Sequence, residues 1–207
     1  MRQRLSEDER KSAILEAAFS VAARERLDAV TTRRVAEVAG VSAGLVIFHF
    51  ESKDKLLLAL CEQVVDEVRL AFAGAPSDSD RPAREALVQF LSERVANFER
   101  PRVRERIELF FDFWVLSTRA PAVRHRLVRA MGELKALLGT FAQRVIDDEP
   151  ERFTDVSAAQ LASTLVALLH GAAIQRVVEG KDYDGASLVR SVRALLGAAP
   201  SAQKVSR

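Results

Sequence analysis

Three side chains in the first quarter of the chain combine a hydrogen-bond donor with a place near the start of a predicted helix. Thr32 and Arg33 follow Thr31, whose hydroxyl can cap a helix, and Lys53 follows Ser52 in the same way. The N-terminus of a helix carries a partial positive charge, and its first backbone N–H groups have no partner within the helix. Donors at such a position suit an oxyanion, such as a phosphate group.

Residues 45–50, of sequence LVIFHF, form an almost wholly apolar segment between these two sets of donors. Val46 and Phe50 are four residues apart, so they share one face of a helix and are expected to anchor it in a core. Ala43 and Gly44, just before the segment, are small. Their size would let this helix approach a partner closely.

The other side of the segment is expected to face outward. Leu45 and Phe48 would place apolar groups there, and apolar groups in a DNA groove can contact thymine methyls. Ser42 and His49 can hydrogen-bond to base edges or to phosphate. The alternative is that the whole segment is the core of a helical bundle. Both interpretations stay open for Leu45, and Ile47 could belong to either face.

Residues 31–50, TTRRVAEVAGVSAGLVIFHF, have the layout of a helix-turn-helix. Gly40 ends the first short helix, and Ser42 begins the second. The buried side of the first helix is expected to consist of Val35, Val38 and Ala39. A longer helix precedes both. In such a unit the second helix lies in the DNA major groove and the first crosses the phosphate backbone.

Three motifs make the chain resemble the TetR family of bacterial transcription regulators: ILEAAFSVA at 14–22, TTRRVAEVAGVS at 31–42 and HFESKDKLL at 49–57. The phrase FFDFWVLSTRAPAVRHRL at 110–127 is similar to the regulatory domain of betaine-regulator-like members. The resemblance implies a homodimer and a palindromic double-stranded DNA operator. It also implies release from DNA when a small-molecule effector enters the C-terminal domain.

The chain departs from this family at three positions. Family members commonly have threonine in place of Leu45 and tyrosine in place of Ile47, and both usually grip phosphate or bases. The glycine that usually ends the first helix corresponds to Arg26. That turn must therefore form without the freedom that glycine has at positive φ.

Aromatic residues are concentrated in the second half of the chain. Phe110, Phe111 and Trp114 lie within one predicted helix, and Phe90 and Phe141 lie on neighbouring ones. A plain hydrophobic core would explain most of these rings. The family resemblance adds a second interpretation, an apolar effector pocket among the fifth to eighth helices.

Residues 100–130 hold eight arginines against three acidic residues, Glu105, Glu108 and Asp112. Such a charge run usually forms a solvated face. The alternative is a site for an anionic group, such as the phosphates of an acyl-coenzyme A, because the planar guanidinium group suits phosphate. The arginines are Arg100, Arg102, Arg104, Arg106, Arg119, Arg124, Arg126 and Arg129.

The last two predicted helices are apolar on more than one side. By family analogy they are expected to pack against their copies as a four-helix dimer interface. Packing within one chain is the alternative. The residues predicted for the interface are Leu165, Leu168, Leu169, Ala172, Leu188, Val192 and Leu195.

Composition excludes several other classes. The chain has 207 residues, a net charge of +2 and a single cysteine, Cys61, which favours a reducing cytoplasmic compartment. Neither a signal peptide nor a membrane-spanning segment is expected. His125 and His170 are too far apart for a metal motif, so no metal or cofactor is expected. SKDK at 52–55 is interpreted as a helix cap, and no enzyme motif is recognised.

Together these patterns predict an all-α protein of about nine helices. A helix-turn-helix DNA-binding domain is expected at 1–51, and a ligand-binding and dimerisation domain at 52–207. A surface loop is expected at 74–83. Arg2 and Arg4 would form either a minor-groove arm or a solvated tail. Beyond the loop, helices are expected at about 82–98, 102–118, 121–148, 155–180 and 185–198.

Overall fold

The computed structural model describes residues 6–72 and 81–197, and all regular structure within them is helical. Arg2, Arg4 and residues 74–80 of the loop predicted at 74–83 lie outside the described residues. Short 3-10 turns occupy Leu27–Ala29, Pro150–Phe153 and Gly180–Asp182. The helices are α1 (Glu7–Glu25), α2 (Thr32–Ala39), α3 (Ala43–Phe50), α4 (Lys53–Phe72), α5 (Ala83–Asn97), α6 (Pro101–Leu116), α7 (Pro121–Asp148), α8 (Ala158–Glu179) and α9 (Gly185–Leu196).

Side-chain caps set the starts of several helices, as predicted. Ser6 begins α1 with a reciprocal capping box that involves Glu9. Thr31 and Ser42 accept hydrogen bonds from backbone N–H groups in the first turns of α2 and α3. Ser52 does the same for Lys55, at a distance of 3.2 Å. The caps at Thr31, Ser42 and Ser52 confirm the helix starts that were predicted from the sequence.

The described chain falls into two compact units. The first comprises residues 6–68 with 105–130, and the second comprises 69–72, 81–104 and 131–197. The first unit therefore contains α1 to α3, most of α4, most of α6 and the start of α7. The functional boundary predicted after residue 51 stays a prediction.

The core of the first unit is built from fully buried side chains on α1, α2, α3 and α4. Val35 and Ala36 form the buried side of α2. Val38, which was predicted to join them, is 43% exposed. It lies two residues beyond Ala36 and therefore on nearly the opposite side of the helix.

The second unit packs its helices around aromatic rings. Phe90 contacts Phe72 and Phe141, with ring centroids 5.9 and 6.1 Å apart. At the start of α9, a Cβ added to Gly185 would lie 2.4 Å from Cγ1 of Val95 on α5. Glycine therefore allows these two helices to approach closely.

Helix α8 bears on the expectation that the chain has no membrane-spanning segment. By length and composition alone, residues 158–182 are long and apolar enough to cross a membrane, with a mean hydropathy of 1.5. A helix that forms part of a protein core passes the same test. Its buried face includes Leu165, Leu169 and Ala172 together with Arg176, which pairs with Glu99.

Candidate DNA-binding and effector sites

A tight turn joins α2 to α3. Gly40 has a φ of 67°, and the N–H of Val41 donates to the carbonyl of Ala36 at 3.0 Å. This left-handed residue closes α2 and redirects the chain within two residues. The structure thus builds the helix-turn-helix where the sequence predicted it.

Arg34 holds α2 on the end of α1, a role that the sequence analysis missed. Its Nη2 lies 2.6 Å from Oε1 of Glu25, and its Nη1 lies 2.9 Å from Oε2 of Glu37. The hydrogen bonds that Arg34 donates to these two carboxylates raise its pKa. The hydrogen bond from Arg34 also lowers the pKa of Glu25. The Arg34–Glu25 pair joins residues nine positions apart, so the helical spacing in the sequence does not predict it.

The two faces of α3 separate as predicted at most positions. Val46 and Phe50 are buried, at 0% and 4% exposure. Phe48 is 72% exposed and Ile47 is 49% exposed, so Ile47 belongs to the outward face. Leu45 is half-buried. A short helix therefore presents a bare, mainly apolar outer surface.

His49 is the polar residue at the end of α3. Its ring meets that of Phe48 edge-on, with centroids 5.3 Å apart. Nε2 of His49 is shielded from solvent and has no hydrogen-bond partner within the described residues. That nitrogen is not available to DNA in this conformation. The predicted contact would therefore need Nδ1 or a rotation of the side chain.

The start of α3 is small and accessible. Oγ of Ser42 accepts from the N–H of Leu45 at 3.2 Å, which leaves its hydroxyl proton to donate elsewhere. Gly44 is exposed, and Ala43 is half-buried. A Cβ added to Gly44 would meet only Oγ of Ser42, at 3.9 Å.

Donors flank α3 on both sides. Thr32 is half-buried, whereas Arg33 and Lys53 are exposed. Nζ of Lys53 lies 3.4 Å from the carbonyl oxygen of Asp28. Lys11, which was not predicted, places its ammonium 5.9 Å from the ring centroid of Phe50. Its charge lies beside the buried face of α3.

The rings predicted as one effector pocket form two clusters. Phe110, Phe111 and Trp114 belong to the first unit, with centroids between 5.6 and 6.3 Å apart. Phe110 is buried, whereas Trp114 is 42% exposed. Phe90 and Phe141 are buried within the second unit. In the ring cluster of α6, defined as Phe110, Phe111 and Trp114, Phe111 is half-buried and Trp114 is exposed.

Ion pairs occupy part of the arginine-rich segment. Nη2 of Arg126 lies 3.6 Å from Asp66, and Arg106 pairs with Glu67, so both face acidic groups on α4. Asp112, one of the three acidic residues within the segment, has its Oδ1 3.3 Å from Nη2 of Arg26. Neutralisation by these partners weakens the case for an anion site here.

Four of the predicted dimer residues face the interior of their own chain. Leu165, Leu169, Ala172 and Val192 are between 2% and 7% exposed. They hold α8 and α9 in the second unit, so contact with a partner does not fit them. Leu168 and Leu188 are half-buried, and Leu195 is 77% exposed.

The described residues contain no cluster of three or more His, Cys, Asp or Glu side chains placed to hold a metal ion.

A capped α2, a glycine turn and an exposed apolar α3 define a helix-turn-helix transcription regulator. Residues 14–60 match the tetR family of bacterial regulatory proteins, and residues 82–199 match the C-terminal domain of BetI-type transcriptional repressors. The chain belongs to the TetR family of transcriptional regulators.

Relatives and solved structures agree with this family. The chain is 26% identical over 176 residues to the HTH-type transcriptional regulator BetI of Cronobacter sakazakii, covering 84% of this chain and 83% of that protein. A transcriptional regulator from Pseudomonas aeruginosa shares the fold with a TM-score of 0.78, 24% identity and coverage of 95% and 94%. One from Saccharomonospora viridis, solved with choline, has a TM-score of 0.72, 21% identity and coverage of 93% and 97%.

Proposed function

We propose that this regulator is a cytoplasmic repressor that binds a palindromic operator as a homodimer. A small, largely apolar ligand in the region 52–207 would favour its release. The observation that carries the proposal is the outer face of α3, where Phe48 and Ile47 stand exposed next to two well-capped helix starts. A solvated apolar surface of this kind needs a partner.

Recognition of DNA would divide between two kinds of contact. Phe48, Ile47 and Leu45 would meet thymine methyls in the major groove, which distinguishes thymine from cytosine without a hydrogen bond. Thr32 and Arg33 on α2, with Lys53 on α4, would hold phosphates and fix the register. Residues 6–60 carry eight Lys or Arg and nine Asp or Glu, a net of −1, so these few local cations would have to supply the attraction.

The outward face of α8 supports pairing of two copies. Ala167, Gly171, Ile174 and Val178 recur at intervals of four and three residues, which places them along one side of the helix. Ile174 and Val178 are 43% and 78% exposed. Leu195 of α9 is exposed as well. We assign the dimer contact to this outer stripe because the inner residues already pack within the chain.

The ring cluster of α6 supports the effector site. Trp114 is accessible, and two phenylalanine rings stand beside it. Aromatic faces attract organic cations as well as apolar groups. The relative solved with choline makes a quaternary ammonium compound the first effector to test. An acyl-coenzyme A remains the alternative, with the arginine-rich segment as its phosphate site.

The DNA proposal is tested by selecting random duplexes on the purified protein at physiological salt. Enrichment of an inverted repeat, with half-sites about one helical turn apart, is the expected result. A folded protein that enriches no sequence would contradict the proposal. It would instead favour a helical interaction protein without sequence-specific DNA binding.

The effector proposal is tested on the operator complex. Trp114 is the only tryptophan, so its emission reports on the ring cluster directly. Choline and palmitoyl-coenzyme A are titrated separately while anisotropy follows the labelled operator. Release together with a change in Trp114 emission supports a site at this cluster. Release without any such change would place the effector elsewhere.

A further inference from the structure

The backbone of Arg26 is strained. Its φ of 76° and ψ of 163° lie in a region that glycine occupies almost alone. Hydrogen bonds fix the residue on both sides, because its N–H donates to Ala22 and its carbonyl accepts from Ala29. Arg26 is thus the joint between α1 and the turn that leads to α2.

The side chain of Arg26 reaches a distant part of the sequence. Its Nη2 donates to Oδ1 of Asp112 on α6 at 3.3 Å. The Arg26 side chain is 73% exposed, and an exposed ion pair contributes little to folding. Stability therefore does not account for a strained arginine at this position. Strain of this kind often persists where it forms part of a mechanism.

Arg26 lies between the two sites described above. Asp112 directly follows Phe111 and precedes Trp114 by two residues, so it shares a helix with the ring cluster of α6. On the other side, Glu25 pairs with Arg34 of α2. A chain of direct contacts therefore runs from α6 through residues 25 and 26 to the helix-turn-helix.

We propose that the Arg26–Asp112 ion pair couples the position of α6 to the conformation of the turn that enters α2. While Asp112 stays in place, Arg26 keeps its strained backbone, and α2 and α3 keep the arrangement described. When Asp112 moves or loses its charge, residue 26 relaxes and the turn before Thr31 changes. This inference rests on the proposed function, because it names the regulation of the same DNA site.

A double-mutant cycle tests the coupling. Operator Kd is measured by anisotropy for the wild type, Asp112→Asn, Arg26→Gly and the double variant. In the Arg26 background, Asp112→Asn is expected to change Kd about threefold or more. In the Arg26→Gly background, the same change should alter Kd less than about twofold, because glycine needs no restraint at this φ. Equal effects in both backgrounds would overturn the coupling.

Asp147→Asn is the matched control. Asp147 is exposed in the second unit, and an asparagine there can still accept the hydrogen bond from Gln143. The control makes the same charge change and should leave Kd unaltered. An equal shift in the control would mean that net charge, not the ion pair, acts on DNA binding.

Hydrogen exchange separates this proposal from the proposed function. Asp112→Asn should speed amide exchange across residues 27–41 without DNA present, whereas Asp147→Asn should not. If the wild type binds no duplex but exchange responds in this way, DNA binding fails and the coupling stands. Unchanged exchange in Asp112→Asn overturns the coupling whatever the protein binds.

Discussion

At the scale of single residues, Phe48 and Phe50 of α3 allow a direct comparison of an exposed and a buried phenylalanine. Phe48 is 72% exposed and Phe50 is 4% exposed. Phe48→Ala should leave stability nearly unchanged and weaken operator binding by about 1–3 kcal/mol if the ring contacts a thymine methyl. Phe50→Ala should instead lower the free energy of unfolding by about 3–5 kcal/mol.

Deoxyuridine supplies the control for Phe48, since it lacks only the methyl group. Replacing thymines of the half-site with deoxyuridine should weaken the wild type. It should have much less effect on Phe48→Ala, because the contact is already lost. Equal losses in both proteins would show that Phe48 does not read these methyl groups.

Arg26 gives a stability prediction of the opposite sign. Arg26→Gly should raise stability by about 1 kcal/mol, since glycine adopts φ 76° without strain. The apparent Tm should rise by about 2–4 °C in a chain of this size. Glu51, at φ 60°, offers a comparison position outside the Arg26–Asp112 pair. A lower Tm for Arg26→Gly would mean that the ion pair outweighs the strain.

At the scale of helices, two glycines should respond oppositely to alanine. A Cβ at Gly185 would clash with Val95 at 2.4 Å, whereas one at Gly139 would have no atom within 4 Å. Gly185→Ala should therefore destabilise by about 1–3 kcal/mol through overpacking. Gly139→Ala, within α7, should stabilise by about 0.5–1 kcal/mol. Thermal unfolding of both variants measures the contrast, and equal signs would contradict it.

The sequence predicted helices better than it predicted faces. Caps such as Thr31 and Ser42, and prolines such as Pro101 and Pro121, act locally, so α2, α3, α6 and α7 begin at or within a residue of the expected place. Which side of a helix is buried depends on neighbours far along the chain. Val38 was misplaced for this reason. The family resemblance already indicated a positive φ at Arg26, whereas its Asp112 partner, 86 residues away, could not be predicted from spacing.

The inner face of α8 shows the same limit on a larger element. Leu165 and Leu169 were predicted to contact a partner because the helix has more apolar residues than one face needs. Helix α8 does have more apolar residues than one face needs, but the exposed ones are Ile174 and Val178, on the face opposite Leu165 and Leu169. Periodicity shows that two apolar faces exist. It does not show which of them the chain itself covers.

At the scale of the whole molecule, that outer face predicts the oligomeric state. Val178→Asp should shift the protein toward monomer, because an exposed valine on the proposed interface becomes a buried charge. Sedimentation velocity at micromolar concentration measures the change. Val128→Asp is the control, since Val128 is 63% exposed but belongs to the first unit. A wild type that sediments as a monomer would contradict the interface.

The buried thiol of Cys61 has a practical consequence for measuring how an effector changes the separation of the two α3 helices in a dimer. Cys61 is 0% exposed, and burial raises its pKa to about 12. Because the thiolate is the reactive form, native Cys61 should resist maleimides and disulfide reagents near neutral pH and react once denatured. The raised pKa also means that its contribution to stability is complete below about pH 9 and is lost as pH rises toward 12.

A second cysteine could therefore be labelled selectively without removing the natural one. Nitroxide labels on Phe48→Cys would place one spin on each α3 of a dimer. Electron-spin distance measurements would then report the separation of the two α3 helices directly, with and without choline.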